Sequence, residues 1–160
     1  MSEAQQAARQ AETLRRVGEY LGELFDEPFL DPETDHYYVG YGSTVLEISV
    51  EPYGPDETVI RITAYCVQNV DVQAELAIGL LGLNHEVPFG AFELVGNDIF
   101  YSHALFGRGL NRKSLLGAIA AVATTSDDYD DRIVQRYGGN TALELIQETG
   151  GRKRRRSKGA

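Results

Sequence analysis

HYYVGYGSTVLEISVEPYGPDETVIRITAYCV, residues 36 to 67, is dominated by aromatic and β-branched residues and is broken by glycine and proline at two points. Leu46, Ile48 and Val50 alternate with Glu47, Ser49 and Glu51. Ile60, Ile62, Ala64 and Cys66 alternate in the same way with Arg61, Thr63 and Tyr65. A period of two with one polar side per strand is the pattern of antiparallel strands that keep one face wet. Gly40 to Gly42 reads as one bend and Tyr53-Gly54-Pro55-Asp56 as the other, which makes the segment a three-stranded meander.

The flanks supply helices. From Ala4 to Phe25, Leu14, Val17, Leu21, Leu24 and Phe25 recur at spacings of three and four, one stripe of a helix that must dock to be stable because Gly18 and Gly22 weaken it. Pro28 to Asp35 reads as a loop. Asp71 is positioned to cap a second helix reaching about Leu83, whose Leu76, Ala77, Leu80, Leu81 and Leu83 predict deep burial. AFELVG and DIFYSHALF form a hairpin about Gly96-Asn97-Asp98. Asn111 caps a third helix that runs to Gly138-Gly139, with a kink expected between Thr124 and Asp127, and TALELIQE (141–148) reads as a short terminal helix. Strands grouped in runs between a few helices predict an α+β fold with helices mainly on one face of an antiparallel sheet.

A chain of 160 residues suits one domain, here residues 1–150, followed by a basic tail over 151–160 expected to be disordered. Arg152, Lys153, Arg154, Arg155, Arg156 and Lys158 lie in that tail with no acid among them. Residues 1–150 therefore carry nine basic against 24 acidic residues, a balance of -15 within a total of -9. So acidic a domain repels phosphate backbones, and a nucleic acid partner would have to be held by the tail alone. The tail could equally fold back on its own domain. No apolar run is long enough for a membrane span and no signal peptide opens the chain, which leads us to expect a cytoplasmic protein. A single Cys66 leaves no internal disulfide and no multi-cysteine zinc site.

Chemistry is sparse. GRGLNRKS (107–114) approaches a phosphate loop, yet Arg112 stands where the second glycine is required, so Lys113 and Ser114 read as the first turn of a helix. Gly40-Tyr41-Gly42 lacks the third glycine of a dinucleotide fingerprint. His36, His85 and His103 have no motif around them, the His85-Glu86 pair falls in an expected loop, and no two histidines have ligand spacing. Asp127, Asp128, Asp130 and Asp131 lack the calcium-loop pattern and read as a solvated helix surface. Cys66 falls on the apolar side of its strand and reads as a buried structural thiol. Tyr37, Tyr38 and Tyr41 could stack on bases, but they are also ordinary strand formers. No catalytic residue, cofactor or metal follows from these patterns.

The element order, NHEVPFGAFELVGNDIFYSHALFG (84–107) and the late-helix run DDYDDRIVQRYGG (127–139) together resemble the YbjN-like family of bacterial sensory transduction regulators, whose fold is similar to that of type III secretion chaperones. The likeness spans roughly residues 8–138. It is carried by Asn84, Phe89, Gly90 and Phe92 at the turn into the hairpin and by Asp128 and Tyr129 in the third helix. The resemblance implies an α-β-β-β-α-β-β-α domain without enzyme activity that binds a protein or peptide client and pairs as a homodimer. Its candidate client surface is Leu21, Phe25, Phe29, Tyr37 and Tyr41, at the end of the first helix and the start of the sheet. The competing readings are a nucleic-acid-associated regulator acting through the basic tail, and a small hydrolase or transferase using His85, Glu86 or the aspartates.

Overall fold

The computed structural model describes residues 2–141; the expected helix beyond Thr141 and the basic tail lie outside them. Helix α1 (Glu3–Leu24) starts one residue before the apolar stripe predicts, because Ser2 and Gln5 form a reciprocal capping box. Its stripe buries Thr13, Val17 and Leu21. Four strands follow: β1 (Phe29–Leu30), β2 (Tyr37–Tyr41), β3 (Thr44–Tyr53) and β4 (Glu57–Gln68). The stretch expected to be a loop thus contains a strand of two residues, which pairs with Tyr37 and Tyr38. The bend between β2 and β3 falls at Gly42-Ser43. Gly40 stays in register opposite Val45, while Gly42, at φ +58°, supplies the left-handed residue of the turn.

Helix α2 (Ala74–Glu86) departs most from expectation. It begins after Gln73, whose side chain makes no cap, and Asp71 instead accepts a hydrogen bond from the Gln73 amide at 2.7 Å. The helix runs on through His85 and Glu86, which are therefore helical and not in a loop. Only Leu76 and Leu80 are buried; Ile78 and Leu81 are each 70% exposed. A run this rich in leucine has apolar residues on every side, so hydrophobicity alone could not say which side is covered.

Strands β5 (Ala91–Val95) and β6 (Asp98–Phe106) form the expected hairpin, with Gly96 at φ +61°. Helix α3 (Arg112–Tyr137) is continuous across Thr124–Asp127, and its interior there is tied to the sheet: the Cys66 thiol donates to the Ser126 carbonyl at 3.6 Å. Strand β7 (Asn140–Thr141) then pairs with Val67 and Gln68 of β4.

All pairings among the described residues are antiparallel, in the order β1-β2-β3-β4-β6-β5, with β7 beside β4. Leu46, Ile48, Ile60, Ile62, Ala64 and Tyr101 point to one face, where α1, α2 and α3 cover them. The opposite face carries Tyr38, Glu47, Arg61, Tyr65, Phe100 and Phe106, and no described helix covers it. This is the one-faced α+β arrangement that the strand alternation predicts.

Candidate functional site

The five expected client residues do not form one surface. Leu21 is fully buried in the core and offers nothing to a partner, as its place on the α1 stripe with Val17 requires. Phe25, which ends α1 by donating its N–H to the Leu21 carbonyl at 2.9 Å, and Tyr37 are half-buried against the same core. The Tyr37 hydroxyl occupies the space left by Gly18, where a Cβ would lie 2.2 Å from it. Phe29 lies on the uncovered face, its ring 6.3 Å from that of Tyr38. Tyr41 stands at the hairpin end, beside a recess shared with Thr124 and Asp127 of α3.

Two features lie where Phe25 and β2 meet. Strand β1 pairs only with Tyr37 and Tyr38, so beyond them the outer edge of β2, Val39–Tyr41, has no strand partner among the described residues. An open cleft of about 360 Å³ runs beside that edge, lined by Leu24, Phe25, Asp26, Glu27, Val39 and Gly40. A free strand edge next to a partly apolar, acid-flanked cleft is a template for an added strand: the edge supplies main-chain hydrogen bonds and the cleft receives side chains.

The uncovered sheet face carries a cluster for which the sequence has no local signal. Glu47 accepts hydrogen bonds from the hydroxyls of Tyr38 (3.2 Å) and Tyr65 (2.8 Å), and its other oxygen lies 2.8 Å from His36 Nδ1. Burial, reinforced by the Glu47 charge, pushes the Tyr38 hydroxyl up to about 12 and that of Tyr65 higher still. The Tyr65 and Phe100 rings meet edge to face at 5.1 Å, and those of Tyr53 and Phe106 lie tilted at 5.7 Å. Arg61 lies between Glu51 (3.5 Å) and Glu93 (3.8 Å).

The remaining candidates have structural roles. In the GRGLNRKS segment Asn111 and Ser114 cap each other, at 2.9 and 3.2 Å, so the loop that resembles a phosphate cradle is a closed helix start. His103 packs at a tilt against Phe89, ring centres 5.5 Å apart, and burial lowers its pKa. Cys66 is buried and its thiol is pushed up to about 12 by that burial, far from the range of a nucleophile. Among the described residues no group of three or more His, Cys, Asp or Glu side chains is placed to hold a metal ion, and no helix is long and apolar enough to cross a membrane. A further cleft, about 520 Å³ between α1 and the end of β6, has Arg9, Arg16 and Arg108 on its walls. Two of these are engaged: Arg108 pairs with Asp56 at 3.1 Å and Arg16 donates to the Leu110 carbonyl at 2.7 Å.

The residues that carry the family resemblance hold the β5 edge. Asn84 bonds the main chain of Phe92, Tyr101 donates to the Phe89 carbonyl, and the Phe92 ring packs on Tyr101 (4.8 Å) and Tyr129 (5.5 Å). Gly90, at φ +70°, passes so close that a Cβ would lie 2.5 Å from the Ser102 carbonyl. Asp128 is exposed.

Residues 11–145 match the family model TY-Chap1, described as T3SS (YopN, CesT) and YbjN peptide-binding chaperone 1. A search of curated protein sequences finds no match. Among solved structures, the chain is similar to one from the ExsC-ExsE complex, with a TM-score of 0.60 and 10% identity over 76% of this chain and 93% of that one. A chain of the HopA1-SchA chaperone-effector complex gives a TM-score of 0.56 and 11% identity, over 76% and 97%. An uncharacterized protein from Methanothermobacter thermautotrophicus gives 0.53 and 19%, over 79% and 99%. At these identities the likeness is one of fold.

Proposed function

Because the chain belongs to the TY-Chap1 family of T3SS and YbjN peptide-binding chaperones, we propose that it is a cytoplasmic, non-enzymatic chaperone or regulatory module that takes an extended client segment on the outer edge of β2. The observation that carries this reading is the edge Val39–Tyr41, unpaired among the described residues, beside the cleft lined by Leu24, Phe25 and Val39. A client strand laid on that edge gains main-chain hydrogen bonds whatever its sequence, and alternate side chains enter the cleft. Asp26 and Glu27 at its rim favour a client with a basic residue next to an apolar one. Of the expected residues, Phe25 and Tyr41 belong to this site, Tyr37 supports it from below, and Phe29 closes its other end through β1.

The non-enzymatic part of the reading is supported by the buried thiol of Cys66 and by two of the three histidines, His36 and His103, being committed to separate partners, Glu47 and Phe89. The homodimer belongs to the same proposal. Its seam is the outward face of α2, where Ile78 and Leu81 flank Gly82, a position with open space around it.

The test is selection of binding peptides from a random display library, followed by affinity measurement on the native protein and on Gly40→Lys, Tyr41→Lys. Gly40 has open space about it, so a lysine there blocks an incoming strand without disturbing the core. Retained folding by circular dichroism with at least about tenfold weaker binding supports edge addition. Undiminished affinity in the folded variant overturns it.

A further inference from the structure

We infer that the uncovered face of the sheet is the docking surface for this chain's own carboxy-terminal segment, residues 142–158. The three described helices all pack on the other face, leaving this one bare. It holds six aromatic rings, among them Tyr53 and Phe106, both more than half exposed, and the Tyr65–Phe100 pair. Apolar area of this kind on a sheet ordinarily finds a cover. Its charge is complementary to one particular occupant. Glu51 and Glu93 share Arg61, and Glu47 has His36 beside it, while residues 151–160 carry six basic side chains and no acid. Guanidinium groups suit such a surface twice over, since they pair with carboxylates and stack on aromatic rings.

Position and length agree. Strand β7 delivers the chain to Thr141, opposite Val67, at the point where β4 leaves the protection of β3. Continuing in line would run into Thr44 and Val45, and the helix side is filled by α3 against Cys66. The bare face begins beside this point, at Tyr65. From there residues 142–152 reach at most about 36 Å, whereas the far edges of the sheet lie only two or three strands away, roughly 10 to 15 Å. In the sequence Leu143, Leu145 and Ile146 come first and the basic run follows, the order in which an apolar and then an acidic surface would be met.

The docked segment makes the domain its own first ligand: it covers the aromatic face and removes the basic run from solution. The inference does not depend on the client edge, which is on the rim of the sheet.

Zero-length carbodiimide coupling of the full chain tests it, with an equal mixture of isotopically light and heavy protein to separate links within one chain from links between copies. The expected result is Lys153 and Lys158 joined to Glu47, Glu51 or Glu93 of the same chain, with the links lost in about 0.5 M salt. A folded Glu47→Gln, Glu51→Gln, Glu93→Gln variant should then be cut by trypsin within residues 152–156 about five- to tenfold faster than the native chain. Four outcomes overturn it: links mainly to helix-side acids such as Glu75 and Asp127, links only between isotopes, no salt-sensitive link, or unchanged trypsin cleavage. So does equal affinity of a single-stranded oligonucleotide for the native chain and this variant, since that places the tail free in solution.

Discussion

The side-chain amide of Asn84 takes the part of a neighbouring strand for Phe92: its Oδ1 accepts the Phe92 N–H at 2.6 Å and its Nδ2 donates to the Phe92 carbonyl at 3.2 Å. An exposed edge of β5 is thereby paired from the end of α2. Asn84→Ala strands both main-chain groups in a half-buried setting, and a loss of about 1–3 kcal/mol is expected. Urea unfolding measures it. A loss below experimental error would show that water replaces the amide without cost.

Gly18 and Tyr37 make a second fitted pair. Helix propensity alone predicts that Gly18→Ala stabilises α1 by roughly 1 kcal/mol. The Tyr37 hydroxyl occupies the space the methyl group needs, so the substitution is expected to destabilise instead. Adding Tyr37→Phe should recover part of the loss. A double-mutant cycle by thermal unfolding reads the coupling, and additive effects would contradict the contact.

Two weak acids, the half-buried Tyr38 and the buried Cys66, predict alkaline behaviour. Tyr38 ionises near 10 when unfolded and near 12 when folded, so between these values the unfolded state holds fewer protons and stability falls as pH rises. Urea midpoints should drop from about pH 10 upward, and Tyr38→Phe should flatten the drop. Cys66, also raised to about 12, should resist iodoacetamide at about pH 8 in the native protein and react fully once unfolded. Rapid native labelling would contradict its burial.

The face of α2 separates association from stability. Ile78 and Leu81 are so exposed that Ile78→Lys with Leu81→Lys should change monomer stability by no more than about 0.5 kcal/mol per site. Sedimentation should nevertheless show a dimer for the native protein and a monomer for the variant. An unchanged dimer would place the seam elsewhere.

How far these features could be read in advance depends on how local they are. Leu46 to Val50 and Ile60 to Cys66 announce their strands because one face of each is wet, and Asn111 announces α3 because a cap acts within one turn. Phe29–Leu30 could not be read, since two residues have no period and their partners Tyr37 and Tyr38 lie beyond a loop. The Glu47 cluster joins residues 9 to 18 positions apart through register alone. Leu21 is legible as core from its stripe with Leu14 and Val17, which outweighs its place near the helix end. The turn residues Asn84, Gly90 and Phe92 mark the family, and their geometry explains why: they build the β5 edge and leave the client edge to other residues.

The most direct measurement of the central claim is amide hydrogen exchange, residue by residue, with and without a library-selected peptide. The account predicts slowed exchange in β2 beyond Tyr38, at Val39, Gly40 and Tyr41, with Ala91–Val95 of β5 unchanged. Protection confined to β5 or to α2, with β2 exchanging as before, would contradict it.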